Sequence, residues 1–465
     1  MRVREASDPA WATRAALRRL PSAEPLFQLD AAGRRWQIPT DRFGYFRPAS
    51  FAEPKPADTK RVFVLGGSTV QGRPFSTETA FSTFLALQLK ECDQVGSFEV
   101  VNVGGISYAS DRLAALLGEL LTHQPDAIVL MTGHNEFLSE RTERAAGRRS
   151  ARGVWLDRIA ERWRTLGWLQ DRWSPPSADD PDFATEVEAR LDRPGGLAEY
   201  VRAPLWSEGV VAAFADNLRT IAAACRDADV PLLIVLPASD TAETPPFKVQ
   251  TDPNLPANIG RQVDDWWQQV TTDSGGAGQG GRPDRDALLS KILAADPGHA
   301  GAHYLLGRRR MEAAIASGPV DPLTAGHLIA ARDHDVCPLR ATAPILANIR
   351  TVAGQFDVPV VDVPSLFDPP PTQTGQPTDG IADPAWFVDH VHPTVNGHRR
   401  IAQAVMPWLE SLGWCRWDTD ARRRGRQAID RHLAGLGEAY YARGRQRLEG
   451  LRRWAAGRVG EPEPR

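Results

Sequence analysis

Five short apolar runs constrain this chain more than any other feature. RVFVLGG at 61–67, FEVVNVGG at 98–105, DAIVLMTG at 126–133, VPLLIVLP at 230–237 and VPVVDVP at 358–364 are rich in valine, isoleucine and leucine, and each ends in glycine or proline. A strand apolar on both faces must be covered on both, which is the condition of a parallel sheet sandwiched between helices. The stretches 78–89, 113–121 and 217–228 carry the helical apolar spacing that supplies such cover. Strand and helix in alternation predict right-handed crossovers and an α/β fold, a three-layer, doubly wound and mostly parallel sheet.

The rest of the chain is placed around that rhythm. Residues 1–60 are rich in proline, arginine and aromatics and end in FRPASFAEPKPADTK, which reads as an extended N-terminal lead-in. The sheet domain occupies 61–420 and carries two insertions. One, at about 138–206, is charged and tryptophan-bearing and is expected to cover one end of the sheet. The other, at about 250–336, opens on the glycine-rich linker TTDSGGAGQGGRPD and continues into LLSKILAADPGHAGAHYLLGRRRMEAA. There a D-P pair separates two helices in the manner of a tetratricopeptide-like hairpin, which has to pack on something else to bury its apolar face. Residues 421–465 form a basic tail, helical over 421–458, whose excess charge reads as a solvated helix face.

Composition narrows the function. At 465 residues, 42% apolar and 24% charged with a formal net charge of -3, the chain is an ordinary globular protein without the basic footprint of a nucleic-acid binder. The four cysteines, Cys92, Cys225, Cys337 and Cys415, stand far apart with no CxxC or CxxH spacing, so they read as reduced thiols that hold no metal. The first twenty residues lack a signal-peptide core, and no run approaches the roughly 20 apolar residues of a membrane span, so the expected location is the cytoplasm. No cofactor is called for.

Four motifs carry chemistry. GGSTVQG at 66–72 puts Ser68 at a strand-to-helix turn, beyond the carboxyl edge of the sheet where open α/β folds place their sites. No lysine follows and GxxxxGK[ST] is absent, so phosphate cradling is the weaker reading. DHVHP at 389–393 offers His392 to take the serine proton and Asp389 to hold the imidazole, with His390 a competitor for the same role. TGHNEF at 132–137 ends the third strand with Asn135, a neutral amide able to donate to an oxyanion. NVGGISYAS at 102–110 follows the second strand with a turn whose backbone N–H groups can meet anionic oxygen.

The order Ser, Gly, Asn, Asp-x-x-His resembles that of the SGNH/GDSL serine hydrolases, over residues 61–140 and 215–410. The resemblance implies a flavodoxin-like hydrolase fold, with Ser68 as nucleophile, Asp389 and His392 completing the triad, and Asn135 in the oxyanion hole. Gly67 stands where that family usually has aspartate. The Gly-x-Asn-Asp block matches Gly133-His134-Asn135-Glu136. Counting from Asn102, the family's oxyanion glycine falls on Ser107, while glycines stand at Gly104 and Gly105. The backbone donors are therefore expected from Ser68 and from Gly104, Gly105 or Ser107. The spellings GGSTVQGRPF and NVGGISYASDR are similar to a bacterial subgroup with tetratricopeptide-like helices.

The activity so implied is hydrolysis of a carboxylic ester, on a small molecule, glycan or lipid, through an acyl-enzyme and without a metal. The same residues are compatible with an O-acyltransferase. A third reading is a non-catalytic scaffold that takes a protein partner through the helical insertion. Arg340 and Lys248, near predicted sheet ends, are expected to form surface salt bridges or to bind an anionic substrate.

Overall fold

A computed structural model describes residues 20–21, 24–94, 96–138, 189–272, 284–317, 322–367 and 381–455. The five apolar runs form one parallel sheet of β1 (Thr59–Gly66), β2 (Ser97–Gly104), β3 (Ala127–Met131), β4 (Leu232–Leu236) and β5 (Val360–Asp362). Their order is β2-β1-β3-β4-β5, and every neighbouring pair is parallel. That is the 2-1-3-4-5 doubly wound order, whose direction of winding reverses beside β1 and opens a crevice between the loops after β1 and β3.

Among the described residues the first helices are α1 (Ser68–Gln71), α2 (Phe81–Lys90), α3 (Ser110–Thr122) and α4 (Pro204–Asp227). A group of four follows: α5 (Ala257–Thr272), α6 (Arg285–Ala295), α7 (Ala300–Ser317) and α8 (Pro322–Asp333). The last are α9 (Ala343–Phe356), α10 (Val363–Leu366), α11 (Val395–Ser411), α12 (Thr419–Ala434) and α13 (Glu438–Ala455).

Period-two alternation sorts the strand side chains between two cores. Val62, Val64, Val129 and Val235 face a layer made by α2, α11 and α12. Phe63, Leu65, Ile128, Leu130 and Ile234 face the layer of α3, α4 and α9. Both sets are buried, which is why the runs carry no polar alternation.

The N-terminal segment departs from the extended lead-in. Residues 28–29, 35–37 and 50–52 pair as a small antiparallel sheet. Phe27 and Phe51 pack edge-on to one another at 4.9 Å, and Phe51 meets Phe63 of β1 at 5.3 Å. The prolines at 48, 54 and 56 flank these strands, and burial of the aromatics holds them on the main core.

Arg61 fastens the same region. Fully buried in β1, it donates from Nε to Glu99 Oε2 (2.8 Å), from Nη1 to His123 O (2.7 Å) and from Nη2 to Ala52 O (2.8 Å), with its guanidinium 4.5 Å from the Phe51 ring centre.

In the second insertion, Asp296-Pro297 does separate two helices, α6 and α7. Their apolar faces close on α5, with Val263, Leu289, Ile292 and Ala302 in one small core. Small residues stand at the crossings: Gly301 lies against Trp267 and Gly307 against Leu328 of α8. The bundle is tied to the main domain by Arg202, which donates to both Asp296 oxygens at 2.7 and 2.8 Å. Residues 139–188 of the first insertion and 273–283 of the glycine-rich linker lie outside the described residues. Among the described residues no helix is long and apolar enough to cross a membrane.

Candidate active site

The turn after β1 places Ser68 as the first residue of α1, a single helical turn. Gly72, with φ of 91°, closes that turn, and the amides of Gly72 and Arg73 both donate to Ser68 O, at 3.2 and 3.1 Å. Gly104 lets β2 approach it: a Cβ there would lie 2.3 Å from the Gln71 nitrogen. The Asn102 side chain fastens the same turn by donating to Val70 O at 2.7 Å.

His392 reaches Ser68 from the far end of the chain. Its loop is a tight turn in which Phe387 bridges Pro393 and the Val388 amide donates to His392 O. Thr394 then caps α11 by accepting from the Gly397 amide. Asp389 and His392 thus share one rigid loop. His392 Nε2 stands 2.8 Å from Ser68 Oγ, while Nδ1 stands 2.7 Å from Asp389 Oδ2. The amides of Val391 and His392 donate to Asp389 Oδ1.

Burial alone would raise Asp389, but its interactions with the His392 and His390 rings together with these hydrogen bonds hold its carboxyl well below the usual carboxylate range. His390 does not compete for Ser68. Its ring packs on the edge of Phe247, its Nδ1 lies 3.8 Å from Asp389, and burial lowers it to about 4.

Asn135 follows β3 and donates to Tyr108 O at 3.0 Å, so one of its two amide hydrogens remains. A Cβ on Gly67 would lie 2.6 Å from Asn135 Nδ2. Gly67, having no side chain, therefore leaves room for this amide.

The 104–107 turn divides its amides unequally. The Gly104 amide donates to Asn102 Oδ1 and the Gly105 amide to Gly66 O, both at 2.9 Å, and the Ile106 amide goes to Tyr45 O. The Ser107 amide has no acceptor among the described residues. Ser107 has φ of +58°, a conformation glycine adopts freely and other residues hold at a cost of about 1 kcal/mol or more. Ser68, Ser107, Asn135 and His392 line one pocket of about 360 Å³.

Beneath the pocket lies Glu136, wholly buried. Ser110, the first residue of α3, gives it its amide at 3.1 Å and its hydroxyl at 2.7 Å, and Thr132 adds a longer bond. Glu136 thereby clamps the Asn135 loop to the helix that follows Ser107. Burial, only partly offset by the Ser110 bonds, raises its carboxyl from 4.5 to about 8. A carboxyl raised on folding binds more protons folded than unfolded, so its contribution to stability is lost as pH rises from about 4.5 through 8. The Glu136→Gln protein should therefore gain stability relative to wild type as pH climbs across that window, read by urea denaturation at its two ends. A difference that stays constant with pH would show that this carboxyl is not raised.

Several features escape a reading of the sequence. Arg340 is no surface cation. It is fully buried and donates to Asp240 O and Thr244 O, at 2.9 and 2.8 Å, with Asp335 3.8 Å away. Lys248 likewise donates to Leu197 O and Tyr200 O. Arg340 is an internal strut, and the half-buried Lys248 is tied to two backbone carbonyls. Nor is the basic tail a free-standing helix: Arg447, Leu451 and Trp454 of α13 wall the pocket, with Trp454 Nε1 donating to Asp192 Oδ1 at 2.7 Å. Gly444 makes this docking close, since it lies directly against the Phe75 ring. Leu138 and Asp192, at the two described ends of the first insertion, also line the pocket. Among the described residues no group of three or more His, Cys, Asp or Glu side chains is arranged to hold a metal ion.

No protein-family model and no curated protein sequence matches the chain. Among solved structures it is similar to a lipase/acylhydrolase from Enterococcus faecalis, at 10% identity over 76% of this chain and 96% of that one, with a TM-score of 0.32. An acetylxylan esterase from Geobacillus stearothermophilus is similar at 12% identity, over 77% and 97% of the two chains, with a TM-score of 0.32. A lipolytic protein of the G-D-S-L family from Desulfitobacterium hafniense is similar at 9% identity, over 75% and 98%, with a TM-score of 0.29.

Proposed function

We propose that the chain is a serine-dependent carboxylic-ester hydrolase of the SGNH type. The observation that carries this reading is the relay from Ser68 Oγ to His392 Nε2 at 2.8 Å and from His392 Nδ1 to Asp389 at 2.7 Å. A charged Asp389 accepts a hydrogen bond from Nδ1–H and so fixes the tautomer in which Nε2 is the acceptor. Ser68 Oγ attacks the ester carbonyl carbon as its proton passes to Nε2. The oxyanion that forms is met by the amides of Ser68 and Ser107 and by the second hydrogen of Asn135. His392 returns the proton to the departing alcohol, leaving an acyl group on Ser68. Water, deprotonated by the same imidazole, then releases the acid and restores the serine.

Of the candidate backbone donors, Ser107 is favoured because the Gly104 and Gly105 amides are already engaged. The test is hydrolysis of p-nitrophenyl acetate, butyrate and octanoate. Replacing Asn135 with alanine should lower kcat by about 10²- to 10³-fold with a smaller change in KM, as the loss of one oxyanion donor does. Turnover unchanged in that variant would remove Asn135 from the mechanism. Products richer in a new ester than in free acid, once an alcohol is added, would make the protein an acyltransferase.

A further inference from the structure

The pocket at Ser68 contains a cation that has no ion-pair partner among the described residues. Arg73 lines it, five residues beyond Ser68 and held to the serine carbonyl through its own amide. The Arg73 side chain makes no hydrogen bond or ion pair among the described residues, and its Nε is buried without an acceptor. Arg447 lines the same pocket and spends one nitrogen on Phe75 O at 2.6 Å. Arg47 stands close enough for its charge to act on Arg73, and its Nε is also buried without an acceptor.

The neighbouring carboxylates are otherwise engaged. Asp389 serves His392, Asp192 accepts from Trp454 Nε1 and the Ala189 amide, and Glu78 faces Arg47 from an exposed position. Burial, followed by the charges of Arg47 and Arg447 and opposed by the lesser pull of Asp389, lowers Arg73 to about 10, so it is still protonated near neutral pH. A half-buried guanidinium with no hydrogen-bonded counter-ion is costly, and a planar fork of donors matches a carboxylate or phosphate.

Resting on the ester-hydrolase reading above, we infer that this pocket selects esters bearing an anionic group, a carboxylate or a phosphate, which Arg73 binds with Arg447 beside it while Ser68 attacks the ester carbonyl. Arg340 and Lys248, the cations that stand out in the sequence, have no part in it.

The test compares charged and neutral ester pairs. Mono-p-nitrophenyl glutarate against its methyl ester places a carboxylate on the acyl side. On the alcohol side, 4-acetoxybenzoate against its methyl ester tests a carboxylate, and 4-acetoxyphenyl phosphate against 4-methoxyphenyl acetate tests a phosphate. At least one charged ester should exceed its neutral counterpart in kcat/KM by about tenfold or more, and that ratio should collapse in Arg73→Gln. It should return in part in Arg73→Lys and shrink as sodium chloride is raised. Charged esters no better than neutral ones, or a ratio unchanged in Arg73→Gln, would overturn the inference.

If the glutamine variant does not fold, the same ratio in Arg447→Gln and its salt dependence in wild type decide. If no ester is cleaved above the Ser68→Ala background, the hydrolase reading fails by itself. Calorimetric titration of glutarate and glycerol phosphate then judges the site separately: binding lost in Arg73→Gln sustains it, and no binding to wild type refutes it.

Discussion

Replacing Ser68 with alanine should lower kcat for p-nitrophenyl butyrate by roughly 10⁴- to 10⁶-fold, and His392→Ala should fall by a similar amount, because members of a relay act as a unit. The double variant should be little worse than either single one. Ser68 begins a one-turn helix, and the loop of His392 is held by main-chain bonds that alanine keeps, so circular dichroism should stay near wild type in both variants. The denaturation midpoint should stay near wild type in Ser68→Ala and fall in His392→Ala, where the buried Asp389 carboxylate loses its ring partner. Activity retained in either folded variant would mean that ester cleavage occurs elsewhere. Losses that multiplied in the double variant would mean that the two residues act independently.

Arg61→Ala should cost roughly 3–5 kcal/mol of stability, the usual result of removing one member of a buried charged pair. Three donors vanish at once. The Glu99 carboxylate keeps only the Ala52 amide, at 2.9 Å, and His123 O and Ala52 O lose their charged donor. Since Ala52 belongs to the N-terminal antiparallel sheet and His123 follows the end of α3, the loss should loosen both from β1. Arg61→Met, which keeps the stem against Phe51, should recover part of the deficit. Urea denaturation measures it, and a midpoint within error of wild type for Arg61→Ala would show that these bonds add nothing net.

The sheet was legible in the sequence because a parallel strand buried on both faces leaves a run with no polar alternation, and all five such runs became strands. Their ends were less legible. The fifth run spans 358–364, but its strand is only Val360–Asp362, since Asp362 turns to cap α10 by accepting from the Ser365 amide. The N-terminal sheet was hidden behind its prolines, and only tertiary burial of Phe27 and Phe51 explains it.

The meeting of Ser68, His392 and Asp389 was readable for a different reason: Asp389 and His392 stand three apart on one loop, and Ser68 follows a strand. What could not be read were properties of conformation and surroundings. Gly104 and Gly105 were visible as letters, yet their amides are engaged, and the left-handed turn at Ser107 leaves no trace in its residue type. Arg340 and Arg73 show the same limit. The sequence states that each is a cation, whereas the fold surrounds the first with carbonyls and leaves the second open to the pocket. A signal for Arg73 did exist, since it lies within GGSTVQGRPF, directly after the glycine that closes the serine turn.

The most direct test of the central claim is covalent labelling of the protein by a fluorophosphonate, in which the nucleophile forms an O–P bond, fluoride leaves and the base takes the hydroxyl proton. Peptide mapping by mass spectrometry should find one adduct per chain, on Ser68, absent from Ser68→Ala and formed far more slowly in His392→Ala. An adduct on another residue, or none in the folded wild-type protein, would contradict the assignment of Ser68 as an activated nucleophile.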